Sequence, residues 1–180
     1  MNKNNVYLTG FMGSGKSTLG PILANTLGWE FYDLDNIIED KTGMKIKEIF
    51  DAYGEDHFRI LERKTLQEIS EKNKIVVSLG GGTIADEINL EILKKTGILF
   101  YLKLSSVSAY KRLKYKRDRP LLLPESGENI TKDDLLKKIN MLYEKRKVFY
   151  EKSDFIIETD NISVGKTVDR IVKIINNEIN

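Results

Sequence analysis

The sequence predicts an α/β protein, a three-layer α/β/α sandwich built on a parallel sheet. Two observations carry this expectation. Short apolar runs of strand length alternate with longer stretches of helical period along the chain. Most of these runs are also too apolar to be one-sided, as strands covered by helices on both faces must be.

Strands are expected at 5–9 (NVYLT), 75–79 (IVVSL), 98–104 (ILFYLKL) and 155–159 (FIIET), with a shorter fifth candidate at 30–33. They are short and rich in β-branched and aromatic residues. Helical patterns fall at 16–27, 46–53, 55–72, 86–95, 107–116, 133–152 and 164–177. Two stretches are more than simple crossovers. The segment 36–72 is too long for one connection and reads as an insertion. The polar segment 117–131 holds Pro120, Pro124 and Gly127 and reads as a lid. No repeat, low-complexity tract or linker divides residues 1–180, so one domain is expected.

Composition narrows the function. Hydrophobic residues at 41% and charged residues at 31% fit a globular chain and exclude wholesale disorder. A net charge of +2 is too small for bulk electrostatics to recruit nucleic acid or a membrane. With no cysteine, disulfides, thiolate metal sites and cysteine nucleophiles are excluded, which is compatible with a reducing cytosol. No apolar run approaches the roughly 20 residues of a membrane span, and no secretory signal is visible. A soluble cytoplasmic monomer is the expectation.

The strongest motif is Gly10-Phe-Met-Gly13-Ser14-Gly15-Lys16-Ser17, which matches G-x-x-x-x-G-K-[ST] and is followed by Thr18. It lies between a strand and a helical pattern, the context a P-loop requires. Glycines let the backbone curl so that N–H groups point at phosphate oxygens, and the helix N-terminus adds its positive dipole end. Lys16 then reaches the β- and γ-phosphates of ATP, and the Ser17 hydroxyl ligates Mg²⁺. In Phe31-Tyr-Asp33-Leu-Asp35, acids two apart on an extended chain lie on one side. Beside a P-loop, one carboxylate can support Mg²⁺ through water and the other can take a hydroxyl proton. The competing role is a helix N-cap.

Other residues carry weaker signals. Arg59 and Glu62, three apart on a helical pattern, read either as a surface ion pair or as a clamp in which Glu62 aims Arg59 at a substrate anion. Arg146 lies among lysines that look like a solvated face. Gly80-Gly81-Gly82 with Ala85 spells a dinucleotide-binding fingerprint, but the acid required about 20 residues later is missing. The dehydrogenase reading is rejected, and a glycine loop open to a ligand is expected instead. The basic run from Lys111 and Arg112 to Arg119 has little aromatic interleaving, which suits a lid closing cations over phosphates better than a nucleic-acid patch. His57 and Trp29 read as packing residues.

Taken in order, GFMGSGKST (10–18), FYDLD (31–35), IKEIF (46–50), GEDHFRILE (54–62), LGGGT (79–83), RPLL (119–122) and Arg146 with Tyr150 resemble the shikimate kinase family. The resemblance covers about residues 5–160. It implies a nucleoside-monophosphate-kinase-like fold, a five-stranded sheet in the order 2-3-1-4-5, and ATP- and Mg²⁺-dependent phosphorylation of the 3-hydroxyl of shikimate. It also implies roles. Gly13, Ser14, Gly15, Lys16, Ser17 and Thr18 would hold the phosphates, with Ser17 and Asp33 serving the metal and Asp35 acting as base and hydroxyl anchor. Arg59 and Arg146 would clamp the carboxylate, Gly81 and Gly82 would line the pocket, and Phe50 and Phe58 would wall it. Arg119 would neutralise charge during transfer, and Arg112 would stack on adenine. Two rivals share parts of this pattern: a gluconate-type P-loop kinase, opposed by GEDHFRILE and LGGGT, and a catalytically silent binding domain, opposed by Lys16, Ser17, Asp35 and Arg119 standing together.

Overall fold

The computed structural model describes residues 4–113 and 131–179. Its elements in chain order are β1 (Asn5–Thr9), α1 (Lys16–Leu27), β2 (Glu30–Asp33), α2 (Leu34–Thr42), α3 (Ile46–Ser70), β3 (Ile75–Ser78), a short 3₁₀ turn (Thr83–Ala85), α4 (Glu87–Thr96), β4 (Gly97–Lys103), α5 (Ser106–Leu113), α6 (Lys132–Tyr150), β5 (Phe155–Glu158) and α7 (Val164–Ile179). All four strand pairings are parallel, and the order is β2-β3-β1-β4-β5, as expected.

The central strands β1 and β3 are buried throughout, and β4 is buried in all but its last residue. Alternate side chains feed two cores. On one face Tyr7, Val77, Leu99 and Tyr101 pack against α2, α3, α4, α5 and α6. On the other, Val6, Leu8, Val76, Ile98, Phe100 and Leu102 pack against α1 and α7. The edge strands β2 and β5 keep exposed positions, so the fully apolar strands are the inner ones. Trp29 packs against the second core, and His57 lies against the Tyr53 ring at 5.0 Å between centroids.

At the start of the insertion α2 is capped by Asp33, whose Oδ1 accepts from the backbone N–H of Asp35 (3.1 Å) and Asn36 (3.4 Å). α3 is kinked at Gly54, where the backbone leaves the helical region with φ 80° and ψ 174°. The two helices read from the sequence at 46–53 and 55–72 are therefore real segments meeting at a kink. The expected lid at 117–131 and its Arg119 lie outside the described residues, apart from Thr131, whose side chain caps α6. The expected helix at 107–116 is described only as far as Leu113.

Candidate active site

The sheet places the site. In an open parallel sheet the crevice lies beyond the carboxyl ends of the strands, where connections leave in opposite directions. Here β1 is that strand, with β3 on one side and β4 on the other. The turn after β1 is the P-loop, the junction of β2 with α2 carries Asp33 and Asp35, and the turn after β3 is the glycine loop.

The P-loop is held open by its own backbone. Gly13 and Gly15 have φ of 81° and 100°, a region costly for any other residue. Gly15 is the N-cap of α1 and supplies no side-chain capping bond, so the first N–H groups of the helix face the loop. Among the described residues, the buried Ser14 hydroxyl has no hydrogen-bond partner. Open amides, a dipole end and an orphaned hydroxyl are what an anionic triphosphate satisfies, so the cradle fits ATP. Lys16 donates from Nζ to the Gly10 carbonyl at 2.8 Å. Ser17 and Thr18 are exposed on the first turn. A hydroxyl at Ser17 and a carboxylate at Asp33 are hard oxygen donors of the kind Mg²⁺ prefers. Arg112 reaches across the cradle, donating to the Gly13 carbonyl at 2.9 Å and to that of Thr159 at 3.5 Å.

Across the crevice, the glycine loop seats three side chains, one per residue. A methyl group added at Gly80 would lie 3.0 Å from Asp35 Oδ1, at Gly81 2.7 Å from Arg146 Nη1, and at Gly82 2.6 Å from Arg59 Nη2. The two guanidiniums approach the backbone more closely than any side chain at 81 or 82 would allow. Residues distant in the chain thus meet over one tripeptide.

Arg59 and the loop itself are further held. Arg59 Nη1 donates to Glu62 at 2.9 Å, and Arg59 Nη2 and Nε donate to Glu55 at 2.8 and 3.2 Å. Glu62 is fully buried, so this is not the surface pair that spacing alone allowed. A buried carboxylate requires full pairing, and Thr83 completes it by donating from Oγ1 to Glu62 Oε1 at 2.6 Å. Thr83 carried no signal in the sequence beyond following three glycines. Tyr150, one turn after Arg146 on α6, donates its hydroxyl to the Gly81 carbonyl at 2.9 Å. The rings of Phe50 and Phe58 lie 4.8 Å apart by centroid beside Arg59, whose guanidinium carbon is 5.2 Å from the Phe58 ring centre.

Electrostatics single out Asp35. Burial raises its pKa most, the carboxylates of Asp33 and Glu62 raise it further, and Lys16 pulls it down, leaving it at about 6. A carboxylate poised there is ionised at neutral pH yet more basic than an ordinary aspartate.

A P-loop, a perturbed carboxylate and two converging arginines on a β2-β3-β1-β4-β5 sheet define a P-loop kinase of a small anionic acceptor. The family model for shikimate kinase matches residues 12–176. The chain is 44% identical over 174 residues to the shikimate kinase of Chlorobaculum parvum, covering 97% of this chain and 93% of that one. It is 42% identical to that of Chlorobaculum tepidum, covering 97% and 91%. The structure of shikimate kinase from Acinetobacter baumannii in complex with shikimate superimposes with a TM-score of 0.87 at 34% identity, covering 99% of this chain and 96% of that one. The Bacteroides thetaiotaomicron enzyme gives 0.86 at 32%, covering 96% and 98%. The chain belongs to the shikimate kinase family.

Proposed function

We infer that this chain transfers the γ-phosphoryl group of ATP to the 3-hydroxyl of shikimate, giving shikimate 3-phosphate and ADP on the route to chorismate and the aromatic amino acids. The observation that carries the reading is the convergence of Asp35, Arg146 and Arg59 on the glycine loop. A carboxylated polyol needs cations for its carboxylate, an acceptor for its hydroxyls and an apolar wall for its ring. We assign these to Arg59 and Arg146, to Asp35, and to Phe50 with Phe58, with Gly81 and Gly82 lining the pocket under the guanidiniums.

In the transfer, the 3-oxygen bonds to the γ-phosphorus, the bond to the β–γ bridging oxygen breaks, and Asp35 takes the hydroxyl proton. Backbone amides of 13–18 and the Lys16 ammonium hold the β- and γ-phosphates through this step. Ser17 would ligate Mg²⁺ and Asp33 would hold its water shell, the ion supplying neutralisation of the phosphate oxygens. Arg112 is assigned to the adenine face and Arg119, in the segment 117–131 expected to form a lid, to charge developing on the phosphoryl group. Segment 36–72 serves as the substrate-binding insertion of a single domain. We take it to act as a monomer, and dependence on Mg-ATP supports a cytoplasmic site of action.

The assignment is tested by Arg146→Ala. Loss of a charge-assisted clamp should raise the KM for shikimate by roughly 10- to 100-fold while the KM for ATP moves little. An equal rise in both would place Arg146 elsewhere.

A further inference from the structure

Tyr150 is fully buried, yet its hydroxyl lies at the site. Its ring stacks on Tyr101 at 5.1 Å between centroids, and the Tyr101 and Tyr143 hydroxyls are 3.2 Å apart. Phe11, at the start of the P-loop, meets Tyr143 edge-on at 5.7 Å. The aromatic stack thus fixes the tyrosine ring against the inner sheet. Its hydroxyl donates to the Gly81 carbonyl and is also hydrogen-bonded by the Arg146 side chain. A methyl group at Gly81 would come within 2.7 Å of Arg146 Nη1 and 3.6 Å of the Tyr150 oxygen, so guanidinium, peptide and phenol are in mutual contact.

We propose that the Tyr150 hydroxyl is a positioning group for the carboxylate clamp: by pinning the Gly81 peptide it fixes the seat on which the Arg146 guanidinium lies, and so sets affinity for the acceptor's carboxylate. The proposal rests on the assignment of Arg146 to that carboxylate. Burial pushes the phenol up to about 12 against the pull of Arg146, so the hydroxyl keeps its proton and remains a donor throughout the range in which the enzyme works. This role is separate from the proton transfer, since Tyr150 bonds to the Gly81 carbonyl and the proton is assigned to Asp35.

The test is a double-mutant cycle on steady-state kinetics with Tyr150→Phe, Arg146→Ala and the pair, alongside Tyr101→Phe as a control for losing a buried hydroxyl in the same stack. Tyr150→Phe is expected to raise the KM for shikimate by about fivefold, the scale of one net hydrogen bond, with kcat and the KM for ATP changed little. In the Arg146→Ala background it should add nothing, because its effect passes through that guanidinium. Tyr101→Phe should lower thermal stability without moving the KM for shikimate. An unchanged KM in Tyr150→Phe, additive effects in the double variant, or the same KM rise in Tyr101→Phe would each overturn the proposal. Should Arg146→Ala itself leave the KM for shikimate unmoved, the clamp assignment fails and this proposal falls with it. A normal response of Arg146→Ala beside a silent Tyr150→Phe removes this proposal alone.

Discussion

Asp35 pays a cost in stability for its place beside two other carboxylates. Its pKa of about 6 lies above the ordinary value of 3.8, so the folded state holds this proton more tightly than the unfolded chain does. The associated stability is present in full below pH 4 and is lost as pH rises through 6. Asp35→Asn, neutral at every pH, should therefore be more stable than the parent at pH 7 by on the order of 1–3 kcal/mol, with the gain vanishing near pH 4. The same variant should lose nearly all turnover while still binding ATP. Denaturant melts at the two pH values and calorimetry with ATP check both halves, and a stability difference independent of pH would remove the electrostatic account. The residue types at 33 and 35 were legible in the sequence, but their division of labour came only from the resemblance, not from their spacing. Asp33 takes the N-cap role that the sequence also allowed, through one oxygen. Only burial beside Glu62 distinguishes Asp35.

At the scale of elements, α3 carries Phe50, Phe58 and Arg59, which are assigned to the acceptor, and its shape depends on one residue. Gly54 sits at φ 80°, ψ 174°, a region nearly closed to residues with a Cβ, although a methyl group there would meet nothing within 4 Å. The cost of Gly54→Ala is thus backbone strain rather than a clash, about 1–3 kcal/mol of stability. Straightening the kink would also separate Phe50 from Phe58, so the KM for shikimate should rise together with the loss of stability. Full stability in this variant would show that the kink is not fixed by Gly54. The sequence read α3 as two helices because the periodicity resets there, and the strands at 5–9 and 30–33 were legible to the residue because turn signals bound them sharply. The ends of α4, α6 and the remaining strands shifted by one or two residues, where capping rather than periodicity decides.

The whole molecule brings together what the chain keeps apart. Periodicity yields strands and helices but not their order. The order 2-3-1-4-5 came from the resemblance, and it is this order that sets the turns after β1, β2 and β3 on one edge. The P-loop was legible because it is local. The proposed anion clamp was not legible from spacing, because Arg59 and Arg146 lie on separate helices and their common feature is a tripeptide that both overlie. Spacing alone allowed a surface role for each arginine and only the resemblance paired them; their packing against Gly82 and Gly81 gives that pairing a physical basis. The central claim is that this edge brings an ATP cradle and a carboxylate clamp to bear on one acceptor. The most direct measurement is ADP release with Mg-ATP and, separately, shikimate, gluconate, a nucleoside monophosphate or no acceptor. Turnover with shikimate alone is the expected result. Comparable turnover with another acceptor, or none with any, would contradict it.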